Sequence, residues 1–256
     1  MMKKLLLFAI LIAMTMSFGS LIDEVKERGV LRVGQDAGYM PLYGTNPDGD
    51  RIGLEVEILE KMAEILGVKL EFVIVNWDGI IPALVSNKFD VIWSAMTITP
   101  ERALRVNFSD PYLTVGQIIL YNSDKYSTAP DAEYLNNPEV KIAVQLGSTG
   151  AEAANRLLPE AEIYMFETID EAAFQVASGR ADAMIFDSIY ARFMAKKYDQ
   201  LEVTEDLLTR EDFGVAIPKG DFETLQWLNT FIQWIKTTGT LAELENYWFV
   251  EYEPEF

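Results

Sequence analysis

The stretch Phe89 to Tyr112, FDVIWSAMTITPERALRVNFSDPY, constrains the fold most, because its pattern changes from strand to helix within a few residues. Asp90 to Met96 is a short apolar run rich in β-branched and aromatic residues, which predicts a buried strand. Thr99 then offers an N-cap, Pro100 occupies the first helical position, where its missing N–H costs nothing, and Glu101 suits the positive end of the helix dipole. A strand that turns this tightly into a helix is the unit of an α/β fold. The turn, Ala95, Met96 and Thr97, would place its amides and a hydroxyl at the carboxyl end of a sheet, where α/β proteins bind ligands. One turn later Arg102 supplies planar paired donors that match a carboxylate. The same residues also suit an ordinary turn and a solvated helix face, so the stretch alone leaves both readings open.

Residue types that are missing narrow the chemistry. The 256 residues include no cysteine, which excludes disulfides, thiolate catalysis and cysteine metal sites, and no histidine, which removes the commonest general base and any serine–histidine triad. No metal or cofactor is expected. A formal charge of −19 disfavours nucleic acid and anionic membrane surfaces as partners. Half the residues are hydrophobic and 24% are charged, ordinary for one large soluble domain or two modest ones.

Residues 1–20, MMKKLLLFAILIAMTMSFGS, carry two lysines, an apolar run and small residues at positions 17 and 19, the pattern of a secretory signal peptide cut near Gly19 or Ser20. Export to the periplasm is expected, and the missing cysteine argues against lipoprotein attachment.

Strands and helices then alternate. The sequence predicts a short helix over Leu21 to Arg28, a strand over Val30 to Gly34, and a loop carrying Asp36 and Tyr39. An amphipathic helix over Leu54 to Leu66 stops at Gly67, and a strand over Val68 to Val75 leads to Trp77, with Asp78 capping the next helix. Later strands are expected at Val115 to Tyr121, Val140 to Val144, Glu162 to Phe166, and Ala183 to Phe186 ending in Asp187. Gln145, Ser148 and Thr149 surround a glycine-containing turn into a helix, an anion-accepting nest or a plain N-cap. Phe213 to Ile217 would return to the first unit, and two helices close the chain. SNKFDVIW at Ser86 to Trp93 echoes SGRADAMI at Ser178 to Ile185, as two similarly built lobes would, or as any two helix-to-strand joints sharing the same chemistry would.

Arg102 and Thr97 suggest a carboxylate site in one unit, and Asp187 an ammonium site in the other, although Asp187 or Ser188 would serve equally well as a helix cap. A ligand using both is an α-amino acid. Tyr39 and Trp77 would provide flat apolar walls, though each alone suits core filling better, and Asp36 would meet a polar or cationic side chain.

The ordered set RIGLEVEILEKMAEILG, WDGIIPALVSNKFDVI, MTITPERALRVNFSDPY, VQLGSTGAEA, SGRADAMIFD, FGVAIPKGD and GTLAELENYWF resembles the amino-acid-binding family of periplasmic solute-binding proteins of ABC importers. The resemblance implies an α/β, two-lobed periplasmic-binding-protein fold of type II, each lobe a mixed sheet flanked by helices and joined by two hinge strands. It implies a discontinuous first lobe, residues 21–113 and 214–256, with the second lobe over 114–213. By position, Arg102 and Thr97, with the backbone at Ser148 and Thr149, would hold a ligand carboxylate; Asp187 and the backbone of Ala95 would hold its amine. Tyr39 and Trp77 would sandwich the side chain, Asp36, Ser94 and Gln145 would read its tip, and Met96 belongs to the same binding turn. An acidic Asp36 between aromatics suits arginine or lysine, and glutamine also fits. Leu42, Tyr43 and Phe186 depart from common family patterns at the pocket edge.

The implied partners are a free amino acid and a membrane permease, with hinge closure as mechanism, a monomer as the expected state and no enzyme activity. The rivals are a dehydratase on the same scaffold, with Asp36 or Glu167 as its acid–base group, and a ligand-sensing ectodomain.

Overall fold

The computed structural model describes residues 19–254; the predicted leader, apart from Gly19 and Ser20, lies outside them. Among the described residues no helix is long and apolar enough to cross a membrane.

Ten α-helices alternate with fourteen strands among the described residues. Helix α1 (Leu21–Arg28) leads into β1 (Val30–Gln35), and the loop beyond β1 carries a small hairpin, β2 (Gly44–Thr45) and β3 (Arg51–Ile52). Helix α2 (Leu54–Leu66) ends at Gly67 in the left-handed region, the residue that read as its stop, and buries Val56, Leu59 and Met62. It is followed by β4 (Lys69–Ile74), α3 (Ile80–Val85), β5 (Val91–Ile92), the single-turn α4 (Pro100–Ala103) and β6 (Asn107–Phe108). With β14 (Ala216–Ile217) these strands form a mixed sheet of order β4-β1-β5-β14-β6, in which β4, β1 and β5 are parallel and β14 is antiparallel to both neighbours.

The second sheet follows β7 (Leu113–Val115). It contains β8 (Gln117–Asn122), β9 (Lys141–Gln145), β10 (Glu162–Phe166), β11 (Ala183–Asp187) and β12 (Leu201–Val203), in the order β10-β9-β11-β8-β12 and again mixed. Between β8 and β9 lies the single-turn α5 (Ala132–Leu135); α6 (Thr149–Leu157), α7 (Ile169–Ala177) and α8 (Ser188–Lys197) are the connecting helices. The chain returns through β13 (Glu211–Phe213), which pairs antiparallel with β7, so two adjacent strands join the two sheets. Helices α9 (Phe222–Thr237) and α10 (Thr240–Asn246), with a terminal π-helical turn over Tyr247–Glu251, close the chain. This is the two-lobed type II architecture expected from the sequence.

Two local expectations fail. Asp78 is not an N-cap: it lies inside a 3-10 turn over Trp77–Gly79, and the helix beyond it has no side-chain cap. The strand expected over Asp90 to Met96 pairs only at Val91 and Ile92. Beyond Ile92, side chains take the backbone partners: Gln35 Nε2 donates to the Trp93 carbonyl at 2.9 Å, and the Ala95 amide donates to Glu55 at 3.0 Å.

Candidate functional site

Both sheets present their strand ends to a cavity between the lobes that leaves about 310 Å³ unfilled by protein atoms. The first lobe contributes Asp36, Tyr39, Tyr43, Trp77, Ser94, Ala95 and Thr97 to its lining, and the second contributes Gln145, Ser148, Thr149, Ile169, Phe186 and Asp187. Ten of the twelve residues expected from the sequence therefore meet here.

The other two stand apart. Met96 is 1% exposed and packs in the first-lobe core with Ile80, Ile92 and Val106, so its side chain is structural. Arg102 lies beside the cavity, clamped across the cleft: Nη1 donates to the Thr97 carbonyl at 2.9 Å and Nη2 to the Gly147 carbonyl of the second lobe at 3.2 Å. Its guanidinium rests 5.3 Å from the centre of the Trp77 ring. Thr99 caps its helix as the sequence predicted, accepting from the Arg102 amide at 3.2 Å.

Direct bonds close the cleft. Trp77 Nε1 donates to the Gly147 carbonyl at 3.0 Å, Gln145 Nε2 donates to Asp36 Oδ2 at 2.7 Å, and the Thr97 and Thr149 hydroxyls lie 3.3 Å apart. Trp77 thus faces Arg102 and the opposite lobe's backbone. Tyr39 instead joins an aromatic cluster, with ring centres 5.8 Å from Tyr43, 5.6 Å from Phe186 and 5.5 Å from Tyr190.

Asp187 is the main electrostatic feature. It ends β11, is 5% exposed, and accepts from Gln117 Nε2 at 2.6 Å. Burial, then the charge of Glu211, pushes its carboxyl up to about 8, against opposing help from Tyr39, Arg102 and Gln117. Asp36 is also raised, by burial first, with the Ala37 amide and Gln145 opposing. Burial lowers Arg102, and Glu152, Asp187 and Glu211 counter that. No acidic cluster with metal-holding geometry exists among the described residues.

The amide of Ala95 is not free, as the sequence suggested, because Glu55 holds it. Ser148 is an N-cap whose hydroxyl accepts from the Ala151 amide at 3.1 Å and donates to the Gln145 carbonyl at 2.8 Å. Sequence reasoning also missed Ile169, the buried contributors Glu55 and Gln117, and the half-buried Glu211. Glu211, on β13, accepts the Thr97 hydroxyl at 2.9 Å. Its spacing gave no signal, since its neighbours in space lie far away in the chain.

Residues 31–251 match the bacterial extracellular solute-binding proteins, family 3. The L-cystine-binding protein TcyJ of Escherichia coli (strain K12) is 32% identical over 230 residues, 90% of this chain and 86% of that protein. The L-arginine-binding protein of Pseudomonas aeruginosa is 30% identical over 263 residues, 97% of each. Among solved structures, the ancestral amino acid-binding protein AncCDT-1, described as a precursor of cyclohexadienyl dehydratase, is 47% identical with a TM-score of 0.84, covering 90% of this chain and all of that one.

Proposed function

The chain belongs to the bacterial extracellular solute-binding proteins of family 3, and from that premise we propose that it captures a basic L-amino acid, arginine or lysine, with glutamine as the nearest substitute, and delivers it to the permease of an ABC importer. The observation that carries the reading is the pair of carboxyls, Asp187 and Asp36, lining one cavity between two lobes. In this reading Asp187 takes the α-ammonium and Asp36 a side-chain cation, while Arg102, Thr97 and the start of α6 meet the carboxylate. A ligand touching both lobes makes all its contacts only in the closed arrangement, so binding shifts the population toward closure. The lobes in this reading are residues 21–113 with 214–256, and 114–213; the protein acts as a monomer in the periplasm after removal of residues 1–20.

The arginine-binding relative supports a basic ligand, and the cystine-binding relative shows that the family also holds other amino acids. Thermal unfolding of protein refolded to strip carried ligand tests the choice. A ligand at 100 times its dissociation constant adds about 2.7 kcal/mol, several degrees at this size. Arginine, lysine or glutamine should raise the midpoint, and apolar amino acids should not. No shift with any amino acid would overturn the reading.

A second reading, a dehydratase, is favoured by one feature: Asp187 lines the cavity and burial pushes its carboxyl up to about 8, so it could hold a proton for an acid step at neutral pH. Elimination of water from prephenate-like acids on incubation with the protein would favour it over transport.

A further inference from the structure

Glu55 lies outside the cavity, yet it touches three of the segments that build its first-lobe wall. It is completely buried in the first turn of α2. Its own amide donates to the Leu42 carbonyl at 2.8 Å, and that of Leu54 to Pro41 at 3.1 Å, which docks the helix start on the loop carrying Tyr39 and Tyr43. Gly53 makes this approach possible: a Cβ there would stand 2.3 Å from the Leu42 carbonyl oxygen. Glu55 Oε1 accepts from the Ala95 amide at 3.0 Å and from the Tyr112 hydroxyl at 2.5 Å, at the start of the first connecting strand.

Ala95 needs such a partner. Its φ is +50°, a conformation that a side chain makes unfavourable, and it lines the cavity between Ser94 and Thr97. The remainder of the turn is held from the other side, where the Gly214 amide donates to the Met96 carbonyl at 3.0 Å and the Ile98 amide to the Asp212 carbonyl at 2.8 Å. Those partners belong to the chain returning from the second lobe. Ser94 is held by its hydroxyl, which accepts from the Asp36 amide at 3.0 Å and donates to the Tyr43 hydroxyl at 2.9 Å, and Glu55 is the contact made to the amide of Ala95 itself.

We propose that Glu55 is a positioning residue for the binding turn: by accepting the Ala95 amide it holds Ala95 in its left-handed conformation and sets where Ser94, Ala95 and Thr97 meet the ligand. Glu55 Oε2 has no hydrogen-bond partner, so only the Oε1 acceptor serves this purpose, and a neutral carboxamide in the same place would serve as well. This inference rests on the amino-acid reading above.

The test sets reach against charge. Glu55→Asp keeps the carboxyl but withdraws it by one methylene, whereas Glu55→Gln keeps the reach and loses the charge. Titration calorimetry with the amino acid that shifts the melting midpoint should show Glu55→Asp weakened by about tenfold or more, as for one lost buried hydrogen bond, with Glu55→Gln within about threefold of wild type. Adding Ala95→Gly to Glu55→Asp should recover part of the loss, because glycine adopts this φ unaided. Wild-type affinity in Glu55→Asp, or equal losses in the Asp and Gln variants, would overturn the proposal. If the wild-type protein bound no amino acid, the functional reading would fail by itself, and amide exchange would still decide: the Ala95 amide should exchange faster in Glu55→Asp with β1 and β4 amides unchanged, and unchanged exchange at Ala95 would refute the role of Glu55.

Discussion

Arg102 shows how much one side chain carries here. Two of its five N–H donors go to backbone carbonyls, one in each lobe, and its flat face lies on Trp77. In the proposed function the remaining donors meet the ligand carboxylate, and the bond to the Gly147 carbonyl of the second lobe would orient them. Arg102→Ala should therefore abolish detectable amino-acid binding in calorimetry while leaving the melting midpoint of the ligand-stripped protein within a few degrees of wild type, because α4 is a single exposed turn. Unchanged affinity would remove Arg102 from the site. The helix start that carries Arg102 was legible from its cap, Thr99 and Pro100, but a binding role was not separable there from a solvated helix face until the other segments were set beside it. Tyr43 and Phe186 were recognisable only as departures at the pocket edge, and Ile169 not at all. An aromatic or branched residue in a strand or helix looks the same whether it faces a cavity or the core. Glu55 was hidden for a different reason: an acid in the first turn of a helix already has a role, at the positive end of the dipole.

At the scale of elements, the echo between Ser86 to Trp93 and Ser178 to Ile185 proves to be one structural device used twice. Each segment leaves its helix through a residue in the left-handed region, Asn87 at φ 57° and Gly179 at φ 71°. Each then places an aspartate whose amide donates to a residue of the neighbouring strand and whose carboxylate accepts that residue's amide: Asp90 with Arg32, Asp182 with Lys141. Both aspartates also hold cations, Arg28 and Arg32 around Asp90, and Lys125 at 2.7 Å from Asp182. The device locks β1 or β9 to the strand beside it. The Asp90 side chain is 1% exposed and that of Asp182 is 18% exposed, so burial should separate their contributions. Asp90→Ala is expected to cost about 2–3 kcal/mol and Asp182→Ala about half that, read from denaturant midpoints. Equal losses would mean that burial does not set the difference. The helix boundaries at Gly67, Thr99 and Ser148 were legible for the same local reason, a cap bond within three or four residues. The shortened strand after Ile92 was not, because its partners, Gln35 and Glu55, lie roughly 40 to 60 residues away.

For the molecule as a whole, the buried acids should make stability and ligand capture depend on pH in opposite directions. Burial, then Glu211, raises Asp187 to about 8, and burial alone raises Glu55 to about 8 against the opposing bonds from Tyr112 and Ala95. Both carboxyls hold a proton in the folded protein at pH values where the unfolded chain, near its ordinary value of about 4, has lost it. Between those limits the folded state binds more protons, so the stability of the ligand-free protein should fall as pH rises from about 5 to 8. Binding should run the other way. A ligand ammonium is served only by ionised Asp187, so below pH 8 capture of an amino acid must expel that proton, and affinity should climb by up to about tenfold per pH unit between 6 and 8. Asp187→Asn separates the two effects: it should weaken binding, flatten the pH dependence that remains, and leave the part of the stability slope due to Glu55. Calorimetry in buffers of different ionisation enthalpy would count the released proton directly. A wild-type affinity that is flat from pH 6 to 8 with no proton released would show that Asp187 does not meet the ammonium. A proton taken up on binding at pH 8 and above would fit a carboxyl kept neutral by its ligand, which is what the dehydratase reading requires.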